Sequence, residues 1–345
     1  MGSQAMPSSS VTSRAAAVRG DSAGSSFPPG SMNTWVARLR TVSNAPSVSR
    51  KQTAAISKVC ATTSTVVSAD TAPVEGAASL AADPRGQSMA KFAAISLDDV
   101  PASSTYAIDR DVSGVAWSKR ISPEDYSLCL VVSELADGAV MQWGSEHGDE
   151  AVCVLEGELD VDGRRCPPGG AVVVEAGVAC AATAIGPTRV AHYGPTDATP
   201  PTDGLLGPAT QEGRCVHVVG DRGWFRAGND TYSQTWWADS SCPTCRICVF
   251  RIEHPEGVDP DVPHHHTQDE IIFVIEGELR LGAYRCPAGT AISIPAHMRY
   301  SLRSDGKAFK FLNYRRDASR FAMAGREEQS ELALEISGEK VGDFR

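Results

Sequence analysis

Two histidines and a glutamate, separated by even numbers of positions, stand just before an apolar run in the C-terminal third of the chain. They are His264, His266 and Glu270, and the run over 271–275 ends at a turn with Gly277. Side chains of an extended chain alternate between its two faces, so these three point the same way. Two imidazoles and a carboxylate on one face are a set of metal ligands. The spacing therefore predicts a divalent-metal site at the start of a buried strand.

The ligand types also narrow the chemistry of that site. Two imidazoles and one carboxylate with open positions are typical of Fe(II) oxygen chemistry, and the same set suits Mn(II). Zinc and nickel remain alternatives, since affinity alone would favour them over iron. Open positions let a substrate bind the ion directly, so that the ion acts as a Lewis acid and template. We therefore expect one divalent ion per chain, with iron or manganese favoured.

The pattern His-x-His-x3-Glu-x6-Gly resembles the first signature motif of the cupin superfamily. The resemblance implies a small antiparallel β-barrel with a metal in its mouth. The family's second motif supplies one more histidine from a Pro-x-Gly-x2-His turn, but residues 295–300 here read Pro-Ala-His-Met-Arg-Tyr. Tyr300 stands where that histidine is expected and His297 where the glycine is expected. The fourth ligand is therefore His297, Tyr300 or water, with His297 slightly favoured.

Two neighbouring residues are candidates for catalytic roles. Tyr300 could act as a metal-bound phenolate, although the ion's charge would be needed to deprotonate a phenol whose ordinary pKa is about 10. Arg299 could hold an anionic substrate through paired hydrogen bonds.

The region of the metal motif is repeated 120 residues earlier (270 minus 150). The earlier copy keeps the glutamate, as Glu150, but has Gly144 and Glu146 where the imidazoles stand, and His147 lies one place out of register. A repeat of this length is a whole barrel, because solenoid units are much shorter. The resemblance therefore implies two barrels in one chain, of which the N-terminal one has lost its metal site and is a structural or lid-forming partner.

The predicted fold is all-β, with two tandem cupin barrels of the double-stranded β-helix (jelly-roll) type and a short C-terminal helix. Many short strands with Gly and Pro turns support this independently. The predicted segments are a leader over 1–88, an N-terminal barrel over 92–195, a Pro-rich linker over 196–208, a C-terminal barrel over 209–320 and a helical tail over 321–345. The helix is expected over 325–336, where the sequence is amphipathic.

Charge is divided unevenly along the chain. The net charge is −10, yet the first 60 residues carry seven Lys and Arg against one acid, Asp21. Such an Arg- and Ser-rich, acid-poor start resembles an organelle transit peptide, plastid more than mitochondrial, with a disordered tail of a cytoplasmic protein as the alternative. The acidic balance makes nucleic acid an unexpected partner, and no apolar run suggests a membrane span.

The chain has ten cysteines, scattered through strand-like segments. Cys242, Cys245 and Cys248 form a Cys-x2-Cys-x2-Cys run, a spacing that can hold zinc or an iron–sulfur cluster or act as a redox pair. Because a second ligand pair is missing downstream, we expect structural thiols, with a reversible disulfide as the alternative.

These observations favour a metal-dependent enzyme that acts on a small, anionic metabolite at a single metal in the C-terminal barrel. Dioxygenase or other oxidoreductase chemistry is favoured on ligand type, although the fold itself does not choose a reaction. The alternatives are a cupin lyase of small sulfur-containing carboxylates, a ureidoglycine aminohydrolase-like hydrolase, and a non-catalytic storage or small-molecule-binding protein. The expected partner is a small-molecule substrate, and the resemblance also implies a homo-oligomer.

Overall fold

The computed structural model describes residues 92–198, 209–239, 242–259, 262–317, 319–323, 329–330 and 338–341. The predicted leader over 1–88 and most of the linker over 196–208 lie outside these residues. The helical element among them is a 3-10 turn, Leu97–Asp99. None of the described helical structure is long and apolar enough to cross a membrane.

Antiparallel β-strands make up nearly all of the described chain. In the N-terminal half the strands are β1 (Ala93–Ser96), β2 (Asp111–Arg120), β3 (Leu128–Trp143), β4 (Glu150–Val161), β5 (Arg164–Cys166), β6 (Ala171–Val174) and β7 (Cys180–Pro195). They form runs of β-branched and small apolar residues, such as Ala-Val-Val-Val in β6, which is buried throughout. Such runs suit strands that are covered on both faces.

The C-terminal half repeats this pattern in shorter strands. They are β8 (Val216–Val219), β9 (Phe225–Asn229), β10 (Tyr232–Asp239), β11 (Cys248–His254), β12 (His264–His266), β13 (Glu270–Glu276), β14 (Glu278–Leu281), β15 (Tyr284–Pro287), β16 (Thr290–Ile294), β17 (Leu302–Arg303), β18 (Phe309–Arg315), β19 (Arg320–Met323), β20 (Gln329–Ser330) and β21 (Gly338–Lys340). The all-β, two-barrel architecture expected from the sequence is confirmed.

Two large sheets carry the two barrels. The N-terminal sheet has seven strands in the order β2-β3-β7-β4-β6-β8, with β5 paired to β4. The C-terminal sheet has eight strands in the order β1-β16-β13-β18-β11-β10-β9-β21. Two three-stranded sheets, β12-β19-β20 and β15-β14-β17, accompany the C-terminal sheet. The predicted metal motif thus begins on a small sheet and continues into the centre of a large one.

The glycine that ends the motif is required by backbone geometry. Gly277 has a φ of 73°, and a Cβ placed there would collide with the carbonyl oxygen of Ala308. Gly157, its counterpart in the repeat, has a φ of 76° and the same close approach to Pro187. Only glycine fits both constraints, so the repeat preserves a sharp bend, which lies within β4 at Gly157 and between β13 and β14 at Gly277.

Each large sheet holds one strand from the other half of the chain. β1 pairs with β16, with Ala93 opposite Ser293, and so completes the C-terminal sheet. β8 pairs with β6, with Val219 opposite Ala171, and so completes the N-terminal sheet. The predicted segments 92–195 and 209–320 are contiguous, whereas the sheets exchange a strand across that division. Sequence periodicity gives strands but not their partners, so it could not show this exchange.

The tail differs from the helix predicted over 325–336. Among its described residues, Gln329–Ser330 pairs with β19 and Gly338–Lys340 pairs with β9. Residues 324–328 and 331–337 lie outside the described residues. The described tail residues form strands because β19 and β9 offer unpaired backbone edges, and pairing with such an edge outweighs a weak helical preference.

One buried core is shared between the two halves of the chain. It includes Tyr126 and Tyr193 from the N-terminal half and Trp236, Phe250 and Tyr314 from the C-terminal half. Tyr193 and Tyr314 stack with ring centroids 5.4 Å apart. The hydroxyl of Tyr126 shares its one proton between the backbone carbonyls of Glu270 (3.0 Å) and Ile294 (2.7 Å). The N-terminal half therefore helps to fix the strand that begins with Glu270.

The stacked tyrosines give a matched pair of stability predictions. The Tyr314 hydroxyl donates to the Asp149 carbonyl at 2.9 Å, whereas the buried Tyr193 hydroxyl has no hydrogen-bond partner among the described residues. We expect Tyr314→Phe to lower the free energy of unfolding by about 1 kcal/mol, and Tyr193→Phe to leave it unchanged or raise it by up to about 1 kcal/mol. Urea unfolding followed by circular dichroism would measure both. Equal destabilisation by the two variants would contradict the assignment.

Candidate metal and substrate site

The structure brings the three residues of the metal motif together. The rings of His264 and His266 lie 5.1 Å apart, and His266 Nε2 is 3.8 Å from Glu270 Oε1. His264 Nδ1 lies 2.9 Å from the Val262 carbonyl, so this nitrogen carries the proton and Nε2 keeps its lone pair. Burial and the neighbouring His266 lower the pKa of His264. Its imidazole is therefore neutral at pH 7, the form that binds a metal.

Glu270 is fully buried at the centre of a polar network. The Tyr300 hydroxyl donates to Oε1, and Asn313 Nδ2 donates to Oε2 at 2.7 Å. Arg315 Nη2 donates to Oε2 at 2.9 Å. Burial alone would raise the pKa of Glu270, but His266, Arg315 and the two hydrogen bonds outweigh it and lower the pKa to about 2. The carboxylate is therefore ionised across the physiological pH range.

Arg315, like Asn313, is a residue of this site that was not predicted from the sequence. It ends β18 and stands directly opposite Glu270 in the strand pairing. Its guanidinium is buried, with Nη2 3.2 Å from His266 Nε2 and its carbon 5.4 Å from the ring centre of Phe250. The internal repeat gives no signal for it, because Gly194 holds the equivalent place after the one-residue insertion. Arg315 could have been identified only from the pairing of β13 with β18.

A divalent ion fits this group in donor type. The neutral imidazole of His264, the imidazole of His266 and the ionised carboxylate of Glu270 are the ligand types such an ion needs. Arg315 already supplies a positive charge at that carboxylate, so an ion would have to compete with the guanidinium. Within the described residues, the sets of three or more His, Cys, Asp or Glu whose ligand atoms lie within 4.8 Å of one another are both centred on Glu175 instead. Arg315 is thus the group that metal binding must displace from Glu270.

His297 lies apart from this group. Its φ is 63°, the left-handed conformation that the family's glycine would adopt at the same position. The side chain is exposed, and its ring is 6.0 Å from the ring of His265 on the opposite face of the strand. The His297 backbone N–H instead donates to the His266 carbonyl at 2.6 Å. His297, favoured from sequence as the fourth ligand, is therefore turned away by its backbone conformation.

Tyr300 is the residue that the second motif brings to the site. It is buried, its ring lies 4.4 Å from that of His264, and its hydroxyl is bound to Glu270. Arg299 is exposed and lines a cavity of about 380 Å³ together with Met298 and Tyr284, and Tyr300 lines the same cavity. Of the two predicted catalytic residues, Tyr300 contacts His264 and Glu270, whereas Arg299 lies next to it on the exposed side of the turn.

The N-terminal barrel contains a parallel arrangement around Glu150. This buried carboxylate accepts hydrogen bonds from Trp143 Nε1 at 2.7 Å and His192 Nε2 at 2.8 Å, and it pairs with Arg110. The Tyr106 hydroxyl lies 2.8 Å from His192 Nδ1. His192 matches Asn313 in the internal repeat, which is the signal that could have found it. In both barrels an arginine neutralises the repeated glutamate, so the two sites share one electrostatic plan.

His147, the histidine out of register in the repeat, does not join the Glu150 group in its hydrogen bonds. Its Nδ1 lies 2.7 Å from the Gly148 carbonyl and its Nε2 3.1 Å from the Val178 carbonyl. The N-terminal barrel therefore has no counterpart of the His264 and His266 pair at the predicted positions, and the loss of its metal site stays a prediction.

No protein-family model and no curated protein matches the sequence. Solved structures with a similar fold include an oxalate decarboxylase described for its substrate binding mode and reaction specificity switch (TM-score 0.50, 12% identity), where the match covers 69% of this chain and 78% of that chain. The formate complex of Lactobacillus farciminis oxalate decarboxylase is similar at TM-score 0.48 and 14% identity, over 67% of this chain and 87% of that chain. A variant of the Bacillus subtilis oxalate decarboxylase is similar at TM-score 0.48 and 12% identity, over 65% and 77%. Likeness at this identity speaks for the fold alone.

Proposed function

We propose that this chain, a two-barrel cupin protein, is a metal-dependent enzyme that acts on a small anionic metabolite in its C-terminal barrel. One observation carries the proposal: two imidazoles, of which that of His264 is neutral, and an ionised, fully buried glutamate converge at the start of β13. Buried ionised groups of this kind are expensive to maintain and concentrate at functional sites.

The residues divide the work as follows. His264, His266 and Glu270 would hold the ion, which supplies Lewis acidity and open positions for a substrate. Tyr300 and Asn313 fix the orientation of the Glu270 carboxylate through its two oxygens. The Tyr300 phenol is also the nearest group that can hold a proton next to that carboxylate.

Arg315 supports the choice of an anionic substrate. An ion that takes Glu270 leaves the guanidinium as a buried positive charge without that carboxylate, which is a costly state. A substrate carboxylate restores the pairing, because guanidinium and carboxylate match in geometry. Ion binding and anion binding would then reinforce each other.

The reaction class can be decided by measuring which gas the enzyme consumes or releases. The prediction of a dioxygenase or other oxidoreductase rests on ligand type alone, and the solved structures with a similar fold are named decarboxylases. A screen of small mono- and dicarboxylates should therefore record both oxygen uptake and carbon dioxide release. Oxygen uptake would favour the oxygenase, and carbon dioxide release without it would favour a lyase.

Metal analysis of the full chain tests the proposal. The protein is purified without chelator, and its metal content is measured beside a His264→Ala/His266→Ala variant. His265→Ala is the matched control, because His265 lies between the two ligands but on the opposite face. We expect wild type and His265→Ala to carry one equivalent more of iron or manganese than the double variant. Equal metal content in all three proteins would contradict the proposed metal site.

A second candidate function is the binding of a small anion without a metal. The observation that favours it is the Arg315–Glu270 pair, which completes the charge balance of the site without an ion. Equal metal content in the three proteins, together with binding of a carboxylate that Arg315→Met abolishes, would support this alternative.

A further inference from the structure

A second cluster of metal-ligand side chains is made of residues that do not belong to the Glu270 group. Its members are Glu175, which follows β6, Cys215 and His217 at the start of β8, and Cys242 and Cys245 in the connection from β10 to β11. All but Cys215 are buried, with Glu175 and Cys245 fully so. The described cysteines form no disulfide. The cluster therefore combines three thiols, an imidazole and a carboxylate in a nearly closed space.

Glu175 stands at the centre of this cluster. Its Oε1 lies 2.7 Å from His217 Nε2, accepts a hydrogen bond from Thr244 Oγ1 at 2.8 Å, and lies 3.5 Å from Cys242 Sγ. Its Oε2 accepts the Cys215 backbone N–H at 2.9 Å. The carboxylate thus holds the chain segments that carry the thiols and the imidazole.

The ligand atoms form two sets with the spacing of a metal site, and Glu175 belongs to both sets. The ligand atoms of Glu175, Cys215 and His217 all lie within 4.8 Å of one another, and so do those of Glu175, Cys242 and Cys245. Cys215 Sγ is 3.7 Å from His217 Nε2. With zinc–sulfur and zinc–nitrogen bonds of ordinary length, a tetrahedral site would place these two atoms about 3.6 Å apart.

We propose that Cys215, His217, Cys242 and Cys245 bind one zinc-class divalent cation, with Glu175 as the residue that positions them. Three cysteines and one histidine are a standard structural zinc set, and the Cys-x2-Cys spacing of 242–245 belongs to it. Binding replaces thiol protons, which pass to solvent, and no redox step is involved. When the ion binds, His217 Nε2 gives up its hydrogen bond to Glu175, its proton passes to solvent, and Nδ1 takes a proton in its place, so that the Nε2 lone pair faces the ion. Glu175 keeps its bonds from the Thr244 hydroxyl and the Cys215 N–H.

The cation would clamp the two large sheets together. Cys215 and His217 belong to the segment whose strand, β8, completes the N-terminal sheet, whereas Cys242 and Cys245 lie between two strands of the C-terminal sheet. Four protein ligands leave no open position, which marks the site as structural rather than catalytic. It is independent of the proposed function, since it shares no residue with the Glu270 group.

Cobalt titration tests the proposal with a signal that only thiolate ligands give. Full-length protein is stripped with chelator under reducing conditions and titrated with Co²⁺, and the sulfur-to-cobalt charge-transfer absorption is recorded. Wild type should saturate at one equivalent in this band. Cys242→Ala/Cys245→Ala should lose the band, whereas His264→Ala/His266→Ala and the buried-thiol control Cys286→Ala should keep it.

A second variant keeps the test decisive if the double cysteine variant fails to fold. Cys215→Ser, at the partly exposed ligand, should bind cobalt at least tenfold more weakly than wild type and remain soluble. The proposal is overturned if wild type shows no thiolate band, or if the band survives in both cysteine variants. A Cys242–Cys245 disulfide found by peptide mapping of protein purified without reductant would likewise replace the metal site by a redox pair.

Discussion

Replacing Glu270 with glutamine is expected to lower the free energy of unfolding by about 3–5 kcal/mol. The glutamine keeps the shape of the side chain but removes the charge opposite Arg315, whose Nη2 lies 2.9 Å from the carboxylate. Both side chains are almost completely buried, so water cannot replace the lost partner. The large effect comes from the arginine that is left behind, since an intact buried pair by itself adds little.

Two controls identify the source of that effect. Glu270→Gln/Arg315→Met removes both charges and should recover much of the lost stability. Glu278→Gln breaks the pair with the exposed Arg285, at 2.7 Å, and should lower the free energy of unfolding far less, because water screens the pair. Urea unfolding in the presence of chelator would measure all three variants. A loss in Glu270→Gln no larger than in Glu278→Gln would show that the buried charges are not paired in this way.

Acid should destabilise the protein between about pH 4.5 and pH 2. Burial would raise the pKa of both repeated glutamates, but their charged and hydrogen-bonding partners outweigh it. His192 and Arg110 lower the pKa of Glu150 to about 2. His266 and Arg315 lower the pKa of Glu270 to about 2. In the unfolded chain these groups ionise near 4.5. A carboxylate with a depressed pKa in the folded state stabilises fully above its unfolded value and progressively less as the pH falls towards its folded value. By linkage, each is worth about 3 kcal/mol at neutral pH.

Melting temperature as a function of pH measures this contribution. Wild type should show a steep fall below about pH 4.5, and Glu270→Gln should start lower but fall less steeply, since it has one proton fewer to take up on unfolding. Glu278→Gln, at the exposed position, should follow the wild-type slope. Parallel curves for wild type and Glu270→Gln would contradict the depressed pKa of this carboxylate.

The fold and half of the site follow from local patterns in the sequence. The period of two in His264, His266 and Glu270, and the glycine that must close the next turn at Gly277, are properties of a few neighbouring residues. The repeat between Glu150 and Glu270 adds the number of barrels. These features are predictable because each depends on backbone geometry within one or two strands.

The residues that were missed depend on contacts between distant segments. Arg315 reaches Glu270 only through the pairing of β13 with β18, and Arg110 reaches Glu150 from a loop 40 residues earlier. Cys215 and His217 lie upstream of Cys242, so a search for a second ligand pair downstream could not find them. In the tail, Gln329–Ser330 pairs with β19, a strand edge that the local sequence could not indicate.

The strand exchange between the two sheets has a consequence for how the chain is made. Ala93 pairs with Ser293, which is synthesised 200 residues later (293 minus 93). At ordinary ribosome speeds this interval is about 10–40 s. During that time β1 has left the ribosome and its partner strand does not yet exist, so the C-terminal sheet cannot close until most of the chain is complete. The N-terminal sheet, which needs only β8, can finish much earlier and offers the nascent C-terminal half a surface on which to assemble.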